Sequence, residues 1–363
     1  MLAKFLFTCN AVFPIIIVIA TGYFLKRIKL LPQSFFPMLN KLSFRCCLPC
    51  LLFYNVYNVE NIFDIAEYSS VVLFAIASIL IFYAVGFFVS VLATKDPKQK
   101  GVLLQASYRS NYAIIGISLA TSLCIGKDQT PVIIASILSS VSIPLFNVLA
   151  TIALTIFVEE SDGESDEASN GKSNGKIKSF FAMSVSIFKK ICTNPLILGV
   201  FIGIVVLVIR NFIPNVEFCD ADGTVKIRKL FTIKQNLPFV YQSIQPLASA
   251  ASTIALIALG GNFEFTAVAK LKKQIIIGTF TRVVLCPAVC LVAAYKFGFR
   301  SLEFPALIAL YGTPIAVSSV PMASEMGNDA ELAGQLVVWT TLASAFTLFI
   351  TIFVCSALGI FNV

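Results

Sequence analysis

The sequence contains no histidine, and only 13% of its 363 residues are charged. The absence of histidine excludes imidazole proton relays, Ser-His-Asp triads and histidine-ligated metal sites. A soluble domain carries roughly 25% charged residues, so the low charge argues against a soluble chain. All cysteines except Cys219 lie in or beside long apolar runs, and Cys46, Cys47 and Cys50 have no second paired motif. We interpret them as small helix-packing residues, not as metal ligands.

Long apolar runs dominate what is present. Apolar residues make up 58% of the chain, and the mean hydropathy is +0.88. About 20 residues of apolar helix cross the hydrocarbon core of a bilayer. The sequence therefore predicts an all-α polytopic membrane protein with ten transmembrane helices. The predicted spans lie near residues 5–26, 36–57, 69–93, 101–125, 130–157, 192–213, 239–261, 273–296, 303–325 and 331–358.

A polar stretch divides the ten spans into two sets of five. Residues 159–179 begin with acidic side chains and continue with Gly, Ser, Asn and Lys. Because this composition cannot build a core, we predict a disordered cytoplasmic linker there, between a first unit at 1–158 and a second at 180–363. Pro49 and Pro246 occupy matching places in spans 2 and 7. Since five spans per unit reverse the orientation of the second, we predict inverted repeats.

The distribution of positive charge predicts the orientation. If the N-terminus lies outside, the inner connections carry fourteen lysines and arginines and the outer ones carry nine. Positive residues favour the cytoplasmic side, so both termini are expected outside, with the protein in the plasma membrane. These inner loops account for much of the net charge of +8, and no nucleic-acid partner is expected.

Two predicted spans are interrupted at matching places in the two halves. Residues 108–116 place an arginine, an asparagine and a glycine within span 4, and residues 312–321 place a glycine and two prolines within span 9. An unpaired polar group in hydrocarbon costs several kcal/mol, so these side chains must face protein, water or a ligand. Paired interruptions indicate a transporter's binding site near the membrane centre.

The predicted substrate-binding residues lie in these interruptions. Asn111 offers amide donors and an acceptor, and the planar fork of Arg109 suits a carboxylate. Pro314 frees a backbone carbonyl, and half-helix N-termini would present N–H groups to an anion. The full set is Gln105, Tyr108, Arg109, Asn111, Gly116, Ser118, Thr313, Pro314, Ser318 and Ser319. The alternatives are an interhelical hydrogen bond for Asn111, a close helix crossing at Gly116 and a helix C-terminus for Arg109.

Five short motifs resemble, in order, those of the auxin efflux carrier and malate permease family. They are LSFRCCLPCLLF from Leu42, NYAIIGISL from Asn111, NPLI from Asn194, RVVLCP from Arg282, and the pair TP at Thr313 with ASEMG ten residues later. The resemblance implies a bile-acid-symporter-like fold in which broken helices 4 and 9 cross. It also implies a scaffold and homodimer surface from helices 1, 2, 6 and 7, and a mobile transport domain from helices 3–5 and 8–10.

The resemblance implies a carrier for small organic anions that works by elevator-type alternating access. Malate or malonate is favoured over auxin, because Ser118 stands where the family has proline and Val71 stands where plant auxin carriers have lysine. No cofactor is expected, and coupling to Na⁺ or H⁺ stays open. A membrane sensor or receptor on the same fold, binding a ligand without flux, is the alternative. The lack of histidine, paired mid-span acids and a Gly-x-Ser-x-Gly elbow argues against an enzyme.

Overall fold

A computed structural model describes residues 2–58, 67–116, 119–120, 123, 130–167, 185, 188–189, 192–219 and 225–360. Its helices are α1 (Leu2–Arg27), α2 (Phe35–Leu42), α3 (Leu48–Tyr57), α4 (Ser69–Ala93), α5 (Pro97–Tyr108), α6 (Thr130–Glu167), α7 (Pro195–Phe212), α8 (Ile233–Asn236), α9 (Pro238–Asn262), α10 (Thr266–Lys270), α11 (Lys272–Phe280), α12 (Cys286–Lys296), α13 (Phe304–Gly312), α14 (Ser319–Glu325) and α15 (Ala330–Ala357). Three wide π-helical turns, π1 (Ser43–Cys47), π2 (Tyr112–Gly116) and π3 (Thr281–Leu285), and two strands, β1 (Asn215–Cys219) and β2 (Val225–Lys229), complete it.

Long apolar helices identify an α-helical membrane protein. Within the described residues, six uninterrupted helical stretches are long and apolar enough to cross a bilayer: Ser69–Ala93, Thr130–Val158, Pro195–Phe212, Pro238–Asn262, Lys272–Lys296 and Ala330–Ala357. Fewer stretches than the ten predicted meet this condition. The chain divides predicted spans 2, 4 and 9 into shorter pieces, and α1 covers predicted span 1.

Proline explains two of the wide turns. Pro49 and Pro287 lie one residue beyond π1 and π3, as the second residues of α3 and α12. A proline has no N–H to donate to the carbonyl four residues earlier, so the helix loses that bond. The chain compensates with one wider turn, which is a common feature near functional sites.

The interruptions of predicted spans 4 and 9 are complete breaks in the helix. α5 ends at Tyr108 because Arg109 adopts extended backbone (φ −79°, ψ 107°). α13 ends at Gly312, and Thr313 is extended (φ −71°, ψ 152°). The ring of Pro314 disfavours helical backbone in the preceding residue, which accounts for this second break.

The two breaks lie side by side and run antiparallel. Ser110 and Ile315 form an isolated bridge. The amide of Asn111 donates to the Pro314 carbonyl at 2.8 Å, and the amide of Ala316 donates to the Arg109 carbonyl at 3.4 Å. These two hydrogen bonds pair buried backbone groups of one break with those of the other.

Helices α1, α3, α7 and α9 pack against one another beside the breaks. α1 and α9 approach at backbone distance: a Cβ added at Gly22 would lie 2.1 Å from the Ile257 carbonyl oxygen, and one at Gly260 would lie 1.9 Å from that of Ile19. Such close contact is typical of small-residue packing between membrane helices. These helices therefore form a tightly packed wall next to the crossing.

The all-α membrane fold is confirmed, and the structure adds a short hairpin between α7 and α8, in which β1 pairs antiparallel with β2 from Asn215↔Lys229 to Cys219↔Val225. Val216 and Phe218 alternate with polar residues there, which is the period of a strand. Helix α6 also extends to Glu167, past the boundary predicted at residue 158, and its glutamates favour helix. The rest of the predicted linker, 168–179, lies outside the described residues.

Candidate functional site

A narrow cavity lies at the crossing of the two breaks. The space open to the centre of a water molecule is about 40 Å³, enough for a few waters. Its lining residues belong to the breaks, π2 and α6 and to α3, α7 and α9. Its polar lining residues are Arg109, Ser110, Asn111, Asn147, Ser252 and Ser318. A larger cavity of about 680 Å³ between α4 and α12 is lined mainly by apolar side chains, so it offers less chemistry for a polar ligand.

Arg109 brings a positive charge to this cavity. Its side chain is only 1% exposed. Nη1 donates to Gln105 Oε1 at 3.1 Å and to Met322 Sδ at 3.2 Å. Nη2 donates to Asn147 Oδ1 at 2.8 Å and to Ser318 Oγ at 2.9 Å. All four acceptors are neutral, and no carboxylate among the described residues pairs with this arginine. A bound anion would offset the cost of burying that charge.

Asn111 adds a free donor to the same wall. Its backbone amide and carbonyl are engaged, by Pro314 at 2.8 Å and by the Ile115 amide at 3.0 Å. Its side chain is buried, and Nδ2 has no hydrogen-bond partner among the described residues. Ser110 Oγ, also on the cavity wall, is likewise unpartnered within that part of the chain. Buried donors are normally satisfied, so these two groups suit a polar ligand.

A second buried arginine, Arg282 in π3, has a different environment. Its Nε donates to the Thr313 carbonyl at 3.1 Å, and Nη2 donates to the carbonyls of Thr313 at 2.9 Å and Leu310 at 3.1 Å. Nη1 donates to the Tyr108 carbonyl at 3.3 Å and contacts Cys286 Sγ at 3.5 Å. Arg282 does not line the cavity. Its acceptors are chiefly carbonyls at the C-terminal ends of α5 and α13.

Three of the residues predicted from sequence line the cavity: Arg109, Asn111 and Ser318. Two others lie immediately behind them. Gln105 accepts from Arg109 and donates from Nε2 to the Ser319 carbonyl at 3.5 Å. Ser319 is buried and contributes no atom to the cavity lining. These two residues therefore support the lining without forming part of it.

The remaining predicted residues lie elsewhere in the crossing. Tyr108 packs between the rings of Tyr83 and Phe146, at centroid distances of 5.4 and 6.1 Å. A Cβ at Gly116 would lie 2.3 Å from the Tyr112 ring, so this glycine permits close packing. Thr313 and Pro314 are buried and act through their carbonyls, which accept from Arg282 and Asn111. Ser118 lies outside the described residues.

The sequence-based prediction did not include Ser110, Asn147 or Ser252 in the site. Asn147 interrupts the apolar run of α6 three residues after Pro144. It could have been found by the same reasoning that singled out Asn111, because polar groups inside a span are costly. Ser252 lies in an Ala- and Ser-rich turn of α9 that gives no distinct signal. Its place on the cavity wall follows only from the packing of α9.

The fold and this site define an integral membrane protein in which two broken helices cross beside a buried cationic cavity. The sequence profile of the membrane transport protein family, the auxin efflux carrier family, matches residues 7–352, so the chain belongs to that family. The motifs read from the sequence predict the same family, and the prediction is confirmed. The protein is thus a membrane transporter of a family that does not comprise enzymes. No curated protein matches the chain.

Proposed function

We propose that the protein is a secondary carrier, active or facilitative, of small organic anions. The observation that supports this most directly is that, within the described residues, Arg109 pairs with neutral acceptors only and Nδ2 of the nearby Asn111 has no partner. A carboxylate replacing one of those acceptors would make a charge-assisted bond, roughly twice as strong as a neutral one. The lone donor of Asn111 would then have an oxygen to bind. Mono- or dicarboxylates such as malate or malonate fit this chemistry.

The proposed mechanism is elevator-type alternating access. We propose ten spans in two inverted five-helix repeats, with helices 1, 2, 6 and 7 as scaffold and dimer surface and the others as the transport domain. In support, residues of α3, α7 and α9 line the cavity together with residues of the breaks and α6, so both proposed domains contribute to it. In this mechanism the transport domain moves against the scaffold, so that the cavity opens to one side of the membrane at a time.

Coupling to Na⁺ or H⁺ is left open by the lining. The chain has no histidine, and none of the described residues that line the cavity is acidic. A proton-coupled cycle would therefore need a titrating group elsewhere. An ion site made of carbonyls, hydroxyls and amides would be compatible with the polar groups of the breaks.

For orientation, we propose that both termini lie outside in the plasma membrane. The motive is the excess of lysine and arginine on the predicted inner connections. Ser169→Cys places a label in the predicted linker, outside the described residues. An impermeant thiol reagent applied to intact cells should leave it unlabelled and should label it after permeabilisation. Labelling in intact cells would show that the orientation is the opposite of the one proposed.

The transport function is tested with purified protein in proteoliposomes. Radiolabelled malate, malonate and indole acetate are offered in turn, with and without Na⁺ and pH gradients. We expect saturable uptake of at least one anion, together with thermal stabilisation, since a ligand at 100 Kd adds ~2.7 kcal/mol to the unfolding free energy. Stabilisation without uptake would indicate a protein that only binds its ligand. Absence of both for every carboxylate would refute the proposal.

A further inference from the structure

We infer that Arg282 is a positioning residue of the substrate site: its guanidinium joins the C-terminal ends of the two broken helices and thereby fixes Arg109 and Asn111 at the cavity. This inference rests on the proposed anion transport. It begins from the acceptors of Arg282, which are the carbonyls of Tyr108 at the end of α5 and of Leu310 and Thr313 at the end of α13.

Both broken helices end inside the protein. The last carbonyls of a helix have no partner within it, and its C-terminus carries a partial charge of about −0.5. Two such ends therefore place about one negative charge at the crossing. Arg282 is fully buried, at 0% exposure, and no carboxylate of the described residues pairs with it. Its single positive charge balances the two helix ends together.

The geometry requires arginine at this position. One guanidinium reaches carbonyls in two separate helices, because its donors spread over a planar fork. An ammonium is a single point charge on a flexible stem, so it would not span both ends equally. The side chain of Arg282 projects from the wide turn π3, which precedes Pro287. This turn sets the direction in which the side chain starts toward the crossing.

The link to the substrate site runs through a few bonds. Tyr108, whose carbonyl accepts from Arg282, is followed directly by Arg109. Thr313 is followed by Pro314, whose carbonyl accepts from the amide of Asn111. A displacement of either helix end therefore shifts the guanidinium of Arg109 or the amide of Asn111. Arg282 contacts the frame of the site and does not line the cavity itself.

The test compares Arg282→Lys with Arg300→Lys. Arg300 also donates to backbone carbonyls near a helix end, at 2.7 Å to Tyr295 and 2.6 Å to Phe299, but it is exposed. The KM for anion uptake and the Vmax per folded protein are measured in proteoliposomes. A KM is independent of how much protein folds. We expect Arg282→Lys to raise the KM about tenfold, the effect of one weakened charged hydrogen bond, and Arg300→Lys to leave it unchanged. A wild-type KM in Arg282→Lys would overturn the inference, whatever its yield.

A second measurement needs no substrate. Ser110 and Ile315 face each other in the bridge, and the bonds from Asn111 and Ala316 flank them, so their Cα atoms lie within disulfide reach. Ser110→Cys with Ile315→Cys should cross-link readily, as read by mass spectrometry of the joined peptides. In Arg282→Lys we expect a lower cross-link yield per folded protein than in Arg300→Lys, and an equal yield would contradict the inference. If wild-type protein transports no anion, the proposed function fails while this result still decides whether Arg282 holds the crossing.

Discussion

The two buried arginines of the crossing differ in what surrounds them. Arg282 donates to backbone carbonyls at the ends of two helices, so the frame of the protein compensates its charge. Arg109 is almost as buried, yet in the part of the chain that the structure describes it donates only to neutral side-chain atoms, and it lines a cavity. Arg282 thus holds parts of the protein together, whereas Arg109 can still bind an anion.

This difference shows which features of a buried charge point to a ligand. Burial alone does not, because both arginines are almost inaccessible to solvent. The acceptors decide it: helix C-termini supply negative charge, whereas an amide oxygen, a hydroxyl and a thioether supply only dipoles. A site that receives an anion needs a cation whose charge the protein leaves uncompensated. Arg109 meets that condition within the described residues.

The largest expected effect comes from Arg109→Gln. Glutamine removes the charge and keeps an amide that can still reach neutral partners, so the protein should fold. Loss of one or two charged hydrogen bonds to substrate should lower anion affinity about 100-fold, and uptake should fall below detection. Anion binding and uptake at matched expression measure this, with the melting temperature of each variant. Arg282→Gln is the contrast and should lower the folded yield, because it leaves helix-end carbonyls unpaired. If the two variants had the same anion affinity and the same folded yield, the two arginines would not differ in role.

Asn111→Leu should produce the next largest effect. Leucine has a similar volume and suits a membrane helix. If the amide only joined two helices, its loss would cost ~0.6 kcal/mol, too little to unfold the protein. If it binds substrate, a polar group of the ligand loses its partner, at ~1–3 kcal/mol, so affinity should fall by about one to two decades. Asn211→Leu, near the C-terminal end of α7, should bind and transport like wild type. Normal binding by Asn111→Leu would place the substrate away from the crossing.

The sequence contained the information that locates the crossing. An arginine and an asparagine within one apolar run cannot face lipid, and a glycine and prolines indicate a helix break in the other. Together these signals lead directly to residues 109–111 and 313–318. Sequence reasoning placed Arg109 in the site and left Arg282 out, but it could not show what compensates the charge of Arg282, because the acceptors of that arginine belong to other helices. It also could not bring Asn147 and Ser252 to the cavity, since their positions depend on how α6 and α9 pack. The hairpin was missed because its short strands lie in a polar connection.

A third arginine extends the comparison, because only a small change in KM is expected when its partner is removed. Arg45 in π1 pairs with Glu325 at the end of α14, with Nε to Oε2 at 3.1 Å, and its side chain is 62% exposed. An exposed ion pair contributes about 0–1 kcal/mol. Glu325→Gln should therefore leave the KM within about twofold of wild type and lower the melting temperature only slightly. Glu67→Gln and Glu303→Gln are measured in the same uptake assay. All three variants should still accumulate substrate. Loss of proton-driven uptake in any one would assign the coupling to that carboxyl.

The smallest effect is expected for Thr313→Val, which separates a residue's carbonyl from its side chain. The Thr313 carbonyl accepts twice from Arg282, at 3.1 and 2.9 Å, and any residue supplies that oxygen. Its hydroxyl is buried, has no hydrogen-bond partner among the described residues and does not line the cavity. Valine keeps the branched shape and removes an unpaired polar atom, a change that is nearly neutral or slightly stabilising. We expect an anion KM within about twofold of wild type and an unchanged melting temperature.

Ser318→Ala is the matched contrast, because the Ser318 hydroxyl contacts Arg109 at 2.9 Å and lines the cavity, so the KM of this variant should change. A large rise in KM for Thr313→Val, with Ser318→Ala unaffected, would place the substrate on the Thr313 side of the crossing and reverse the roles assigned to the two arginines.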